Sequence, residues 1–233
     1  MTVIDEQIKA SFRDEGFQTL TKIQSMSIPV ISRKRNCLLV APTGSGKTEA
    51  SIIPIFSLLE IERDKYSDIT EGNAIVVLYI TPLRALNNDV HRRIINYANK
   101  RNLEAQIRHG DTTRTARQKL VKNPPHILIT TPESLGIVLM QEKFKSYLKH
   151  LRWVIIDEVH ELLGNERGTH LTVSLERLQE ISTHELVRIG LSATIGNLKD
   201  AGNFISGANR KCSILVDNTI RKYDIEVKYL KGS

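Results

Sequence analysis

Short, nearly continuous apolar runs recur along the chain, at Cys37–Val40, Ala74–Ile80, His126–Thr130, Val154–Ile156, Leu186–Leu191 and Ser213–Val216. A strand that alternates apolar and polar residues has one face in water, whereas a continuous run has both faces covered. Between these runs, apolar residues fall at helical spacing over Thr48–Glu62, Leu86–Asn99, Thr113–Val121, Glu133–Met140, Thr169–Ile181 and Leu198–Ile205. Strands alternating with amphipathic helices predict an α/β fold, a mostly parallel sheet with helices on both faces and right-handed crossovers. Arg63–Asn73, charged and containing Gly72, reads as a surface loop, and residues 1–35 as N-terminal helices. No Pro/Gly/Ser-rich linker divides the chain, so residues 1–233 read as one domain.

Composition narrows the class. Hydrophobic residues at 40% and charged residues at 25% exclude wholesale disorder. The longest uncharged stretch, Gly72 to Leu83, has twelve residues, against the ~18 or more that a membrane span requires. Asp5 and Glu6 stand where a secretion signal needs positive charge. The two cysteines, Cys37 and Cys212, each lie beside an apolar run and read as reduced thiols of a cytoplasmic protein rather than a disulfide framework. Net charge is +7, and its placement matters more than its size. From Arg84 to Lys122 ten basic residues face three acids, so the other 23 basic and 23 acidic residues cancel. A localised excess points to a polyanion, although two solvated basic helix faces give the same count.

Ligands of a parallel α/β sheet sit beyond the carboxyl ends of its strands, and the candidate motifs fall there. Ala41-Pro-Thr-Gly-Ser-Gly-Lys-Thr48 follows the run Cys37–Val40 and opens a helix, with Ala41 where the phosphate-loop pattern has glycine. Thr43, Gly44, Ser45 and Gly46 can turn backbone N–H groups around phosphate oxygens at a helix amino end. Lys47 would reach the β- and γ-phosphates, and the Thr48 hydroxyl would ligate Mg²⁺. Asp157-Glu158, ending the run Val154–Ile156, supplies one carboxylate to hold Mg²⁺ and another to orient or deprotonate the attacking water. The same pair could serve as an ordinary helix cap.

Around these lie weaker signals. Gln24 carries an amide that matches both edges of adenine, and with Thr21 it also forms a capping-box pattern. Ser192-Ala-Thr194 could bond His160 or Asp157, or be a plain turn. Thr81-Pro82-Leu83-Arg84 and Thr130-Thr131-Pro132-Glu133-Ser134 offer hydroxyls and helix amino ends suited to sugar and phosphate oxygens, or proline-set helix starts. His109-Gly110-Asp111 adds a loop in the same basic segment.

Phe17…Gln24, Ala41–Thr48, Thr81–Arg84, Thr131–Ser134, Asp157–His160 and Ser192–Thr194 stand in the order of the motifs of superfamily 2 helicases. The chain resembles the first RecA-like domain of a DExH-box enzyme over about Ile4 to Tyr229. The Asp-Glu-Val-His quartet, Gly-Ser-Gly-Lys-Thr-Glu-Ala and Arg167-Gly-Thr-His-Leu resemble the large helicase-related (Lhr) group most. The resemblance implies a RecA-like P-loop domain that couples Mg-ATP hydrolysis to movement on a single nucleic-acid strand, with DNA favoured over RNA and an association with DNA repair. It implies adenine recognition by Gln24, a nucleotide site from Thr43 to Glu49, catalysis by Lys47, Asp157 and Glu158, and Mg²⁺ at Thr48 and Asp157. His160, Ser192 and Thr194 would couple hydrolysis to movement. Pro82, Arg84, Gly110, Asp111, Thr131, Pro132 and Glu133 would grip the strand backbone; with aromatics at 5%, base stacking contributes little.

The family's second RecA-like domain supplies arginine fingers, and no Gln-x-x-Gly-Arg-x-Gly-Arg element occurs in the sequence. Residues 217–233 would then be an exit segment toward that missing partner domain, and turnover by this chain alone would be slight. A binding module without turnover, an RNA helicase and a P-loop ATPase unrelated to nucleic acid are the other readings.

Overall fold

The computed structural model describes residues 2–62, 74–82, 88–194, 196–207 and 209–219. The loop expected at 63–73, the helix start expected at Leu86, Arg84 with its expected strand contact, and most of the 217–233 segment lie outside the described residues. Helices α1 (Val3–Asp14) and α2 (Lys22–Ile31) lead into β1 (Cys37–Val40) and α3 (Lys47–Ile61). Then come β2 (Val77–Ile80), α4 (Asn88–Asn99), β3 (Ala105–Arg108), α5 (Arg114–Lys122), β4 (Ile127–Thr130), α6 (Pro132–Leu139) and α7 (Glu142–Leu148). β5 (Trp153–Ile156), a 3₁₀ turn at Val159–Glu161, α8 (Glu166–Ile181), β6 (Val187–Ser192), α9 (Leu198–Ser206) and β7 (Ser213–Val216) complete the described order.

The seven strands form one sheet in the order β3-β4-β2-β5-β6-β1-β7, and every pairing is parallel. Alternate residues of each central strand enter separate cores. Cys37, Leu39, Tyr79 and Ile155 join one that includes residues of α1, α2 and α3. Leu38, Val40, Ile80 and Ile156 join the other, with Leu135, Phe144, Leu175 and Ile205 from α6, α7, α8 and α9. Covering both faces is what makes the strand sequences read as unbroken apolar runs. Cys37 is buried, Cys212 is half-buried, and both are free thiols.

Two elements depart from the sequence expectation. β3 was not anticipated, because Ala-Gln-Ile-Arg is short and lies at the sheet edge, where only Arg108 is fully buried. α7 is a seven-residue helix, too short for its periodicity to stand out. Elsewhere boundaries move by a few residues. α8 starts three residues before Thr169 because the Asn165 side chain accepts the Gly168 N–H and caps it. None of the described helices is long and apolar enough to cross a membrane.

Register determines where the motifs gather. Val40 pairs with Ser192, and Ile80 with both Ile156 and Thr130, while Thr130 also pairs with Arg108. The last residues of six strands therefore form one edge, and the loops that follow them open on the same side.

Candidate nucleotide and strand site

The turn between β1 and α3 is shaped by two glycines in left-handed backbone, Gly44 at φ +74° and Gly46 at φ +84°. A side chain strains that region, and at Gly46 there is also no room. An added Cβ would stand 2.5 Å from Nε2 of Gln24. Gln24 is buried, and its Oε1 accepts the Thr21 N–H at 2.9 Å while its own N–H donates to Thr21 Oγ1, closing the capping box of α2. One glutamine thus both starts α2 and lies against the loop.

Lys47 turns back into the loop, its ammonium donating to the carbonyls of Ala41 at 2.6 Å and Pro42 at 3.0 Å. Burial lowers the Lys47 pKa, and the nearby Glu158 and Asp157 carboxylates pull it back up. Ser45 Oγ is buried without a hydrogen-bond partner, and Thr43 and Gly44 are exposed. Glu49 is buried and ion-paired with Arg93 of α4 at 2.6 Å.

Asp157 follows β5, its N–H donating to Ile80 O at 2.8 Å. Its pKa is pushed up to about 6, first by burial and further by the Glu158 carboxylate, against hydrogen bonds from the Tyr79 hydroxyl and the Glu158 N–H and the charge of Lys47. The Tyr79 bond spans 2.5 Å. Burial pushes the Tyr79 pKa up, and the Thr48 side chain beside it partly opposes that rise. Tyr79 was missed in the sequence because a tyrosine inside an apolar run reads as core. Glu158 occupies left-handed backbone at φ +49°. Its Oε2 makes no hydrogen bond, the nearest His160 nitrogen being 3.4 Å away. That same Nδ1 lies 3.1 Å from Ser192 Oγ, which donates in turn to the Thr194 carbonyl at 3.3 Å.

Thr48 and Asp157 offer hard oxygen donors, and Asp157 is a buried carboxylate with too little positive charge around it. Among the described residues no cluster of three or more His, Cys, Asp or Glu could hold a metal by itself. The donor set fits Mg²⁺, which takes one or two carboxylates and completes its shell with water and phosphate oxygens.

Farther along the edge, Pro82 and Thr131 are buried and Gly110 and Asp111 exposed. Thr131 Oγ1 caps α6 by accepting the Ser134 N–H at 3.3 Å, and Pro132 is its first residue. Glu133, offered as a strand contact, is ion-paired with Arg167 at 2.6 Å.

A parallel sheet with a glycine-shaped strand-to-helix loop at its carboxyl edge and a carboxylate pair two strands away defines a RecA-like P-loop domain. Residues 21–201 match the family model of the DEAD/DEAH box helicases. Over 224 residues the chain is 39% identical to the ATP-dependent helicase Lhr-Core of Saccharolobus solfataricus, covering 91% of this chain and 25% of that one. The Lhr helicase/uracil glycosylase of Escherichia coli is 39% identical over 207 residues, covering 82% of this chain and 13% of its own length. The solved structure of Mycobacterium smegmatis helicase Lhr bound to ssDNA and AMP-PNP superposes with a TM-score of 0.76 at 33% identity, over 96% of this chain and 28% of that one. The chain belongs to the DEAD/DEAH box helicase family, and it spans about a quarter of the length of the Lhr-Core relatives it matches.

Proposed function

We propose that this chain is the first RecA-like domain, residues 1–233, of an ATP-dependent helicase or translocase of the Lhr kind, binding Mg-ATP and one nucleic-acid strand along the same sheet edge. The observation that carries this is the gathering of Lys47, Thr48, Asp157 and Glu158 at one sheet edge, with a half-buried lysine in the field of two carboxylates and a buried, unpartnered serine hydroxyl in the loop.

On this reading Lys47 leaves the Ala41 and Pro42 carbonyls for phosphate oxygens, and Ser45 and the loop N–H groups take others. Gln24 holds adenine. Thr48 and Asp157 hold Mg²⁺, which when bound neutralises charge developing on the phosphates. Glu158, whose Oε2 is free to accept, orients and deprotonates the attacking water. His160, Ser192 and Thr194 connect that carboxylate to the end of β6. Pro82, Arg84, Gly110, Asp111 and Thr131 grip the strand backbone, with Glu133 positioned through Arg167. DNA as the track is supported by relatives solved with it, the Lhr helicase with ssDNA and the MrfA helicase with DNA at 25% identity. A second RecA-like domain would complete the cleft and supply the arginine fingers, worth about 10³–10⁵ in rate in phosphoryl transfer.

ATP turnover with and without single-stranded DNA, beside binding of a fluorescent ATP analogue, tests the proposal. Binding with slight, unstimulated turnover is expected from this chain alone. Absence of analogue binding would sink the site assignment, and strong DNA-stimulated turnover would show that an arginine finger arrives another way, such as from a second copy.

A further inference from the structure

Among the described residues, Arg188 and Arg101 are buried against carboxylates, whereas Arg108 is not. Arg188, 1% exposed, donates to Glu176 at 2.8 Å. Arg101, its side chain 7% exposed, pairs with Glu15 at 2.6 Å. Arg108, 4% exposed at the end of edge strand β3, has no carboxylate partner among the described residues. Its guanidinium lies 4.6 Å from the Phe144 ring centre and donates a long 3.4 Å bond to Gln141 Oε1. A buried charge left without an opposite charge is costly, and an anion from outside the chain would offset that cost.

The surroundings deepen the case. Arg108 lines a cavity of about 490 Å³ together with Arg114, Arg117, Lys122 and Lys143, and no carboxylate lines it. None of these five cations makes an ion pair with a carboxylate among the described residues. Ile137, 49% exposed, adds an apolar wall. Arg117 ties the cavity to the loop read as a strand contact, donating to the Gly110 carbonyl at 2.5 Å.

We propose that this cavity is a phosphate-binding subsite for a nucleic-acid strand that continues past Gly110, with Arg108 as its buried anchor and the exposed cations as its rim. The subsite rests on the strand-binding reading and lengthens the track that reading assigns. Arg108 contacts a backbone phosphate, and Ile137 the adjoining sugar.

The test measures anisotropy with labelled oligo-dT of about 5 and about 15 nucleotides, the short one spanning the motif loops alone. The Arg114→Gln/Lys122→Gln double variant touches neither the nucleotide loop nor the motif loops. It is expected to bind the long oligonucleotide on the order of tenfold more weakly, with a salt slope shallower by about 1.4, and the short one unchanged. Arg108→Gln is expected to weaken the long oligonucleotide likewise while leaving Tm unchanged or higher, since it removes an uncompensated charge; a purely structural arginine would lower Tm. Equal loss at both lengths, or loss at neither, overturns the subsite while leaving the strand reading intact. Failure of the wild-type chain to bind either length overturns the strand reading itself. Millimolar inorganic phosphate that raises the Tm of wild type but not of Arg108→Gln, with long-oligonucleotide affinity untouched by either variant, would assign the cavity to a free phosphate ligand and overturn the strand subsite.

Discussion

The Ser27 hydroxyl donates to the Ala50 carbonyl at 2.7 Å, joining α2 to α3, the helix that follows the proposed nucleotide loop. Ala50 stands four residues before Pro54, which lies inside α3 and has no N–H to give. The serine therefore supplies the donor that proline withholds. Because Gln24 is one turn earlier on α2, the bond also helps hold that amide against Gly46.

Removing the donor strands a buried carbonyl, which costs about 1–3 kcal/mol. Ser27→Ala is expected to lose stability in that range by urea unfolding. In a Pro54→Ala background, where the helix N–H is restored, the same change is expected to cost markedly less. Equal costs in both backgrounds would show that the two groups are not coupled.

Gly46→Ala places a Cβ within 2.5 Å of the Gln24 amide in left-handed backbone. We expect the nucleotide loop to shift, abolishing ATP-analogue binding and costing about 1–2 kcal/mol. Adding Gln24→Ala relieves the contact but not the backbone strain, so stability should return only in part. Full recovery in the double variant would mean that the glycine's conformation carries no constraint.

Asp157 sets a pH dependence. Its folded pKa, about 6, lies above the ordinary carboxylate value of 3.8. Folding therefore favours its protonated form. The cost of ionising it is absent below the unfolded value, grows as pH rises, and is complete above the folded value. Metal-free and nucleotide-free, Asp157→Asn should match wild type near pH 4 and exceed it by up to roughly 3 kcal/mol at pH 8. A difference that does not change with pH would contradict this. On the proposed reading, the same burial makes Asp157 receptive to a cation.

Much of the architecture was readable because each central strand is buried on both faces, which leaves runs such as Leu38–Val40 unbroken by charge. The same logic hid β3, whose alternating Ala105–Arg108 sits at the edge. At the site, the glycines, Lys47 and the Asp157-Glu158 pair stand out by type and spacing. Partners supplied by distant elements do not. Nothing local marks Tyr79 as a donor to Asp157, or Arg93, 44 residues away, as the partner of Glu49. Nor does the count of basic residues between Arg84 and Lys122 show which are neutralised. That required seeing Arg101 against Glu15 and Arg108 against a ring.

Affinity for a fluorescent ATP analogue with Mg²⁺, in wild type and Lys47→Ala, tests the central claim most directly. Lys47 now bonds two loop carbonyls; on the proposed reading it exchanges them for charge-assisted contacts to phosphate, worth about 3 kcal/mol, or about a hundredfold in affinity. We predict a loss of that order with the circular dichroism spectrum unchanged. Equal affinities in a folded variant would mean that the loop between β1 and α3 is not where nucleotide binds.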